Sequence, residues 1–271
     1  MRPMTPQDRA HASDANRPDL GDDFRRELYA GYVSTFKQSQ ASMDPSARRA
    51  YGTWCRRCYL PLIQDLDRSA PILEIGCGAG YFMEFLMEQG FRDVSGLDIS
   101  EEQIVLARAR GLKAEVGDVF TILPAHPGAF AAIVAIDFLE HFSRTELTKL
   151  TPAIRAALVP GGRFITQTPN GQALHGGAVI HGDLTHLTIF TPRSLEQLLR
   201  RYGFLHIEST ETPLPGSSAS WVLRRTLWSL IRATANVVKR IEGVRTEHIW
   251  TQNFVTCART PLDMDRLASQ R

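Results

Sequence analysis

Cysteine is scarce in this chain, with four in 271 residues. Cys55-x-x-Cys58 has no second CxxC to complete a zinc site, and Cys77 stands alone. Reduced thiols in a cytoplasmic protein are therefore expected, not disulfides or a metal. Long apolar runs are absent: nothing approaches the roughly 20 residues that a membrane span requires. The first residues are polar and carry Pro3, Pro6 and Pro18, so no secretory signal is expected. Charge of one sign is absent too. Lys and Arg number 31 against 29 Asp and Glu, a net charge of +2, which argues against a bulk nucleic-acid binder. What is present is a hydrophobic fraction of 43%, ample for a core, in a length that suits one domain with additions.

The most informative stretch is Ile72-Leu73-Glu74-Ile75-Gly76-Cys77-Gly78-Ala79-Gly80. An apolar run stops at a cluster of glycines, and a helical pattern follows through Phe82, Phe85 and Leu86 to Gly90. That order predicts strand, tight turn and helix. The glycines let backbone approach a ligand closely, and the helix N-terminus offers N–H groups that have no intrahelical acceptor. A dinucleotide fingerprint has glycine at its first, third and sixth positions. Here glycine takes the first, third and fifth, and Tyr81 takes the sixth. Val94–Asp98 predicts a second strand ending in an acid 18 residues past Gly80, where a carboxylate can accept both hydroxyls of a ribose. Ser100 and Gln103 predict a capping box that opens a helix over Glu101–Arg110, closed by Gly111. Leu112–Val116 predicts a third strand, and Gly117-Asp118-Val119 follows it.

Glu74, the glycine turn, Asp98 and Asp118, taken in order, resemble motif I and the next landmarks of class I S-adenosylmethionine (SAM) methyltransferases. The resemblance implies an α/β fold, with a Rossmann-like seven-stranded, mostly parallel sheet and helices on both faces. It implies a SAM-binding set of Glu74, Gly76, Cys77, Gly78, Gly80, Asp98, Ile99, Asp118, Val119 and Asp137, with S-adenosylhomocysteine as product. Asp98 would take the ribose, Asp118 the adenine amino group, and the backbone N–H of Val119 a ring nitrogen.

Phe130–Ile136 predicts a fourth strand, followed by Asp137-Phe138-Leu139-Glu140-His141. This stretch resembles the acid-x-x-Glu-His segment of ubiquinone-type O-methyltransferases and of many methyltransferases of glycan pathways, where it faces the methyl group. Methyl transfer is an in-line displacement, and an alcohol acceptor must also lose its proton. His141 is the simplest base, since an unperturbed pKa near about 6.5 leaves it largely neutral at pH 7. Asp137 is expected to orient the acceptor or the methionine part of SAM. Glu140-His141 also reads as a helix opening in which the histidine only caps or packs. The ubiquinone-type resemblance permits a divalent ion on Asp137, Glu140 and His141, but no metal is expected.

The loop from Thr168 to Phe190 carries His175, His181, Asp183 and His186 among four glycines. A loop of that length is uncommon unless functional or disordered. The run TPNG…GDLTHLTIFTPRSLEQLLRRYGF resembles the closing part of methyltransferases encoded with sugar and polysaccharide biosynthesis, and the resemblance as a whole covers residues 25–258. Asn170, His181 and Asp183 are the candidate substrate contacts. His186 is the alternative base, or a brace beside the helix start at Thr191-Pro192. Zinc on these histidines is not expected, for lack of a ligand spacing.

Along the chain, residues 1–22 are expected to be a disordered tail. Asp23–Gln38 and Pro45–Asp67 are expected as helices of an N-terminal cap over 23–70. The methyltransferase domain spans 71–258, and 259–271 forms a second tail. Within the domain, Thr145–Leu158 predicts a helix with Pro160-Gly161-Gly162 as its exit. Strands are predicted at Arg163–Thr168, Leu205–Ser209 and His248–Cys257. Between the last two, Ser218–Glu242 predicts an inserted amphipathic helix, with Trp221, Leu227, Trp228, Ile231, Ala235, Val238 and Ile241 at helical spacing. Arg224, Arg225, Arg232, Lys239 and Arg240 decorate it, with no acid before Glu242. Such a helix suits an anionic membrane surface, but its stripe is expected to pack on the protein, as a wall of the acceptor cleft or in a homodimer contact. These features together predict a cytoplasmic SAM-dependent O-methyltransferase acting on a hydroxyl of a sugar, glycan or related small polar metabolite. A quinone-like or phenolic lipid precursor is the alternative acceptor, and a non-catalytic SAM-binding subunit the alternative role.

Overall fold

The computed structural model describes residues 43–216 and 219–262. The expected tail 1–22, the expected helix Asp23–Gln38 and most of the tail 259–271 lie outside the described residues. Seven strands form one sheet: β1 (Ile72–Ile75), β2 (Val94–Asp98), β3 (Lys113–Val116), β4 (Phe130–Ile136), β5 (Leu158–Pro169), β6 (Leu205–Glu211) and β7 (Asn253–Arg259), in the order β3-β2-β1-β4-β5-β7-β6. β1 to β5 pair in parallel, and β7 lies antiparallel between β5 and β6. β6 therefore runs in the same direction as β1 and β4, and its carboxyl end lies on their edge.

The central strands are buried on both faces, which is why Phe130–Ile136 reads as an unbroken apolar run. Ile133 and Ala135 join one core, and Ala132 and Val134 join the other. The second core holds α1 (Pro45–Cys58), α2 (Leu60–Ile63), α3 (Tyr81–Glu88) and α4 (Glu101–Ala109). The first core holds α5 (Val119–Ala125), α6 (Arg144–Ala157) and α8 (Pro192–Arg201); a short α7 (Gly177–His181) precedes α8. The inserted helix, α9, spans Ala219–Ile241.

Several sequence expectations need correction. The single helix over Pro45–Asp67 is two, because the chain turns at Tyr59, whose ring is fully buried. Cys55 and Cys58 lie inside that core as free thiols, and burial pushes Cys58 up to about 12, so this CxxC serves packing. Pro160-Gly161-Gly162 is not a helix exit. β5 starts directly after Ala157, with Leu158 paired to Phe130, and Gly161 at φ +72° bends the strand from within. The Ser100–Gln103 box is half formed. Ser100 Oγ accepts from Gln103 N–H at 3.5 Å, but the Ser100 N–H donates to Asp98 Oδ1 at 2.8 Å. A full capping box forms instead at Ser143 and Glu146.

α9 departs most from expectation. Its two tryptophans are half-buried as anticipated, but the aliphatic stripe is not packed on the protein. Leu227, Ile231 and Val238 are 46–49% exposed, and Ile241 is 80% exposed.

Candidate active site

The glycine turn follows β1 and bends where only glycine bends without strain. Gly76, Gly78 and Gly80 have φ of +71°, +51° and +79°. A Cβ on Gly76 would stand 2.5 Å from the Phe138 ring, and one on Gly80 would stand 2.3 Å from Leu112. Gly78 is different: a Cβ there would meet nothing nearer than Gln103 at 3.8 Å, so this glycine borders open space. Its N–H donates to Asp98 Oδ2 at 2.8 Å, while Oδ1 accepts from Ser100 N–H. Asp98 is thus held by both ends of its carboxylate. Each oxygen has more than one lone pair, so the group can also accept hydroxyls. Beside it Ile99 is 60% exposed, an apolar surface for a flat ring.

Glu74 lies in β1 at 3% exposure, under the start of α3, and it accepts a hydrogen bond from the Met83 N–H. Burial, and then the nearby Asp98 charge, hold its carboxyl well above the usual carboxylate range. Its Oε2 has no hydrogen-bond partner among the described residues. Cys77 is buried in the turn, and burial raises its thiol pKa strongly, so it is no nucleophile. Asp118 is exposed and N-caps α5, accepting from Phe120 N–H at 2.9 Å. Val119 is the first residue of that helix, where an N–H has no intrahelical acceptor.

A second group of polar side chains gathers at the end of β4. Asp137 has φ +49°, a left-handed backbone that a strand end adopts only when its surroundings enforce it. Gln167 enforces it: its side chain donates to Asp137 Oδ1 at 2.9 Å, and its carbonyl accepts from the Asp137 N–H at 3.1 Å. Gln167 is itself fixed by the buried Tyr59 hydroxyl, which donates to its Oε1 at 2.9 Å. Asp137 remains exposed at the sheet edge.

His141 follows in a short 3-10 turn and is buried. Its Nδ1 lies 2.8 Å from Thr185 Oγ1 and 3.3 Å from the Thr185 carbonyl. Thr185 spends its hydroxyl proton on Asp183 Oδ1 at 2.6 Å, and a carbonyl can only accept. Nδ1 therefore carries the hydrogen, and in the neutral ring Nε2 carries the lone pair. His186 stacks edge-on against His141, with ring centroids 4.9 Å apart. Its Nδ1 is 3.3 Å from the Ile180 carbonyl, and its Nε2 is 4.0 Å from Asp183 Oδ2. The loop that sequence alone left unstructured is thus folded back onto β4, with the Leu187 and Thr188 N–H groups donating to the Glu140 carbonyl.

The structure brings together most of the residues expected from the sequence, but not all in the expected roles. Asp183 joins the His141–Thr185 network, accepting from the Thr185 N–H and hydroxyl. Asn170 is fully buried as a brace, donating to the carbonyls of Ile249 and Thr251 and accepting from Gln172 N–H. In both residues the polar atoms bond to backbone and neighbours. His181 is exposed at the end of α7. Donor atoms of Glu140, His141 and His186 lie within 4.8 Å of one another, and Asp137 is not part of that group. Gln167, Tyr59 and Thr185 were not singled out from sequence. Gln167 lies between Thr166 and Thr168 in β5, and no sequence pattern marks it.

The glycine turn, the anchored acid at the end of β2 and the acid-rich end of β4, on this sheet order, define a class I SAM-binding domain. The chain belongs to the methyltransferase-domain family, whose model matches residues 47–209. It resembles the ubiquinone biosynthesis O-methyltransferase of Xylella fastidiosa, at 32% identity over 107 residues, 37% of this chain and 42% of that one. It also resembles the 18S rRNA (guanine(1575)-N(7))-methyltransferase of Saccharomyces cerevisiae, at 31% identity over 114 residues, 38% of this chain and 42% of that one. The match thus spans under half the length of these relatives. Among solved structures, a SAM-dependent methyltransferase from Archaeoglobus fulgidus shares the fold, with a TM-score of 0.59 and 20% identity over 79% of this chain and 94% of that one.

Proposed function

We propose that this protein is a SAM-dependent O-methyltransferase acting on a hydroxyl group, with His141 as the proton acceptor. The observation that carries it is the hydrogen bond between His141 Nδ1 and Thr185. It makes Nε2 the basic nitrogen, on the sheet edge that also carries Asp98 and the glycine turn. When bound, SAM supplies an electrophilic methyl that leaves its sulfonium sulfur for the acceptor oxygen, giving S-adenosylhomocysteine and a methyl ether. Asp98 binds the ribose hydroxyls through a carboxylate already oriented by Gly78 and Ser100. Ile99 flanks the adenine, and Asp118 and the Val119 N–H receive its polar edge. Glu74, buried with an unmatched oxygen, steadies the turn through its bond from the Met83 N–H. Asp137, aimed by Gln167, orients the acceptor, and His141 Nε2 takes the hydroxyl proton and returns it to solvent. Four free cysteines support a cytoplasmic setting.

Two observations favour a phenolic or quinone-like acceptor with an apolar tail: the relatives named for ubiquinone biosynthesis, and the outward apolar face of α9. A sugar or glycan hydroxyl, suggested by the TPN…H…FT run, is the second reading. A metal-assisted variant has support from the Glu140–His141–His186 donor set, which a zinc-class ion would accept. Labelled-methyl transfer to a tailed phenol and to a sugar panel, each with and without EDTA, separates these. The expected result is a methyl ether on the phenol, undiminished by EDTA. Label on sugar alone selects the second reading. Loss with EDTA and recovery with a divalent ion selects the metal. SAM binding with no label on any acceptor marks a non-catalytic subunit.

A further inference from the structure

α9 is built inside out. A surface helix ordinarily turns its apolar stripe to the core and its charges to water. Here the row facing the domain is Trp221, Trp228, Arg232, Asn236 and Lys239. Glu211, at the carboxyl end of β6, clamps it. The carboxylate accepts from Trp228 Nε1 at 3.2 Å, from Arg232 Nη1 at 2.9 Å and from the Trp250 N–H at 2.8 Å. Asn236 closes two 2.9 Å bonds with the Glu247 backbone, and Lys239 Nζ lies 3.7 Å from the Glu247 carboxylate. The helix is thus fixed by polar contacts.

The opposite side is aliphatic. Leu223, Leu227, Leu230, Ile231, Val238 and Ile241 are 46–80% exposed. At about 100° per residue they fall, with Val237, within an arc of roughly 120° that contains no charged side chain. Arg224 stands at one margin of this arc and Arg240 about 60° beyond the other, and no acid occurs from Ala219 to Ile241. An exposed stripe this long marks an interaction face.

We propose that α9 lies in the plane of an anionic lipid surface, with its aliphatic arc in the acyl boundary and its flanking arginines on the headgroups. Charge complementarity selects this occupant. A second copy of the helix, packed parallel or antiparallel, would bring an Arg224–Arg225 end against another cationic end. Spanning is excluded for this helix: among the described residues none is long and apolar enough to cross a membrane. Its position also has a consequence for catalysis. Glu211 anchors α9 on the carboxyl edge of the sheet. At its other end, Trp221 lies under the Arg57 guanidinium, 5.5 Å from the ring centroid, on α1 just before Tyr59. Tyr59 in turn holds Gln167 and Asp137. A bilayer under α9 therefore meets the acceptor edge, where a hydroxyl on a membrane-held molecule would be presented. That last step rests on the proposed O-methylation; the membrane contact does not.

The test is sedimentation of the full chain with vesicles of phosphatidylcholine alone and with phosphatidylglycerol added as the anionic lipid. It compares wild type with Leu223→Glu/Leu230→Glu, and with Val105→Glu as a control on the exposed face of α4. Leucine and glutamate have similar helix propensity, so unchanged thermal melting confirms that the double variant folds. The expected result is binding to the anionic vesicles only, weakened by high salt, lowered at least tenfold in the double variant and unchanged in the control. Methylation of a soluble short-chain acceptor by the double variant should equal that of wild type. No binding to anionic vesicles, or equal binding by the double variant, overturns the proposal. So does a wild-type dimer, seen by sedimentation velocity, that the double variant abolishes without any vesicle binding. Vesicle binding with no methylation of any acceptor would leave the membrane contact standing and remove the proposed function.

Discussion

Thr185 is the residue whose removal tests most narrowly how His141 is set. Thr185→Val keeps the shape but deletes the hydroxyl that links His141 Nδ1 to Asp183. The imidazole then keeps only the longer contact to the Thr185 carbonyl, at 3.3 Å, to fix its tautomer. Turnover should fall on the order of tenfold or more with SAM affinity unchanged, and Thr185→Ser should recover most of it. His141→Ala should fall further, by about 10²–10⁴-fold. If Thr185→Val turns over like wild type, while His186→Ala loses activity, the base belongs to His186. His141 was legible in the sequence, because it sits at a fixed offset from a strand end. Thr185 was not: its loop carries threonines whose side-chain bonds depend on a fold-back that no periodicity announces. Gln167 was hidden for a related reason, since its partner Tyr59 lies 108 residues away.

At the scale of elements, Glu74 joins β1 to α3. Its carboxyl is held above the ordinary value near 4.5 by burial and by Asp98. A carboxyl whose folded pKa is raised contributes stability that is fully present below its unfolded pKa and is lost as pH rises through the folded value. Glu74→Gln keeps an acceptor for the Met83 N–H and cannot ionise. The difference in melting temperature, variant minus wild type, should therefore grow as pH rises above about 4.5. A difference that stays flat with pH would show that Glu74 does not carry this burden. Elements governed by local rules were read correctly. Phe130–Ile136 has the predicted bounds, and Thr191-Pro192 starts a helix as expected. Elements governed by distant partners were misread. Asp98 takes the Ser100 N–H and breaks the predicted capping box, and β5 starts early because Leu158 finds Phe130.

At the scale of the whole molecule, the sheet order gathers three strand ends into one edge. β2 delivers Asp98, β1 the glycine turn, and β4 the Asp137–His141 segment onto which the histidine loop folds. The amphipathic character of α9 was legible, but which of its faces meets the protein was not. That choice depends on Glu211 and Glu247, which sequence places in unrelated segments. The central claim is a SAM site built on Asp98, with the base outside it. Titration calorimetry with SAM on wild type, Asp98→Ala and His141→Ala tests it most directly. Wild type should bind, and His141→Ala should bind with the same affinity. Asp98→Ala should lose about 1.5–3 kcal/mol, the scale of charge-assisted hydrogen bonds. Unchanged affinity in Asp98→Ala would contradict the account.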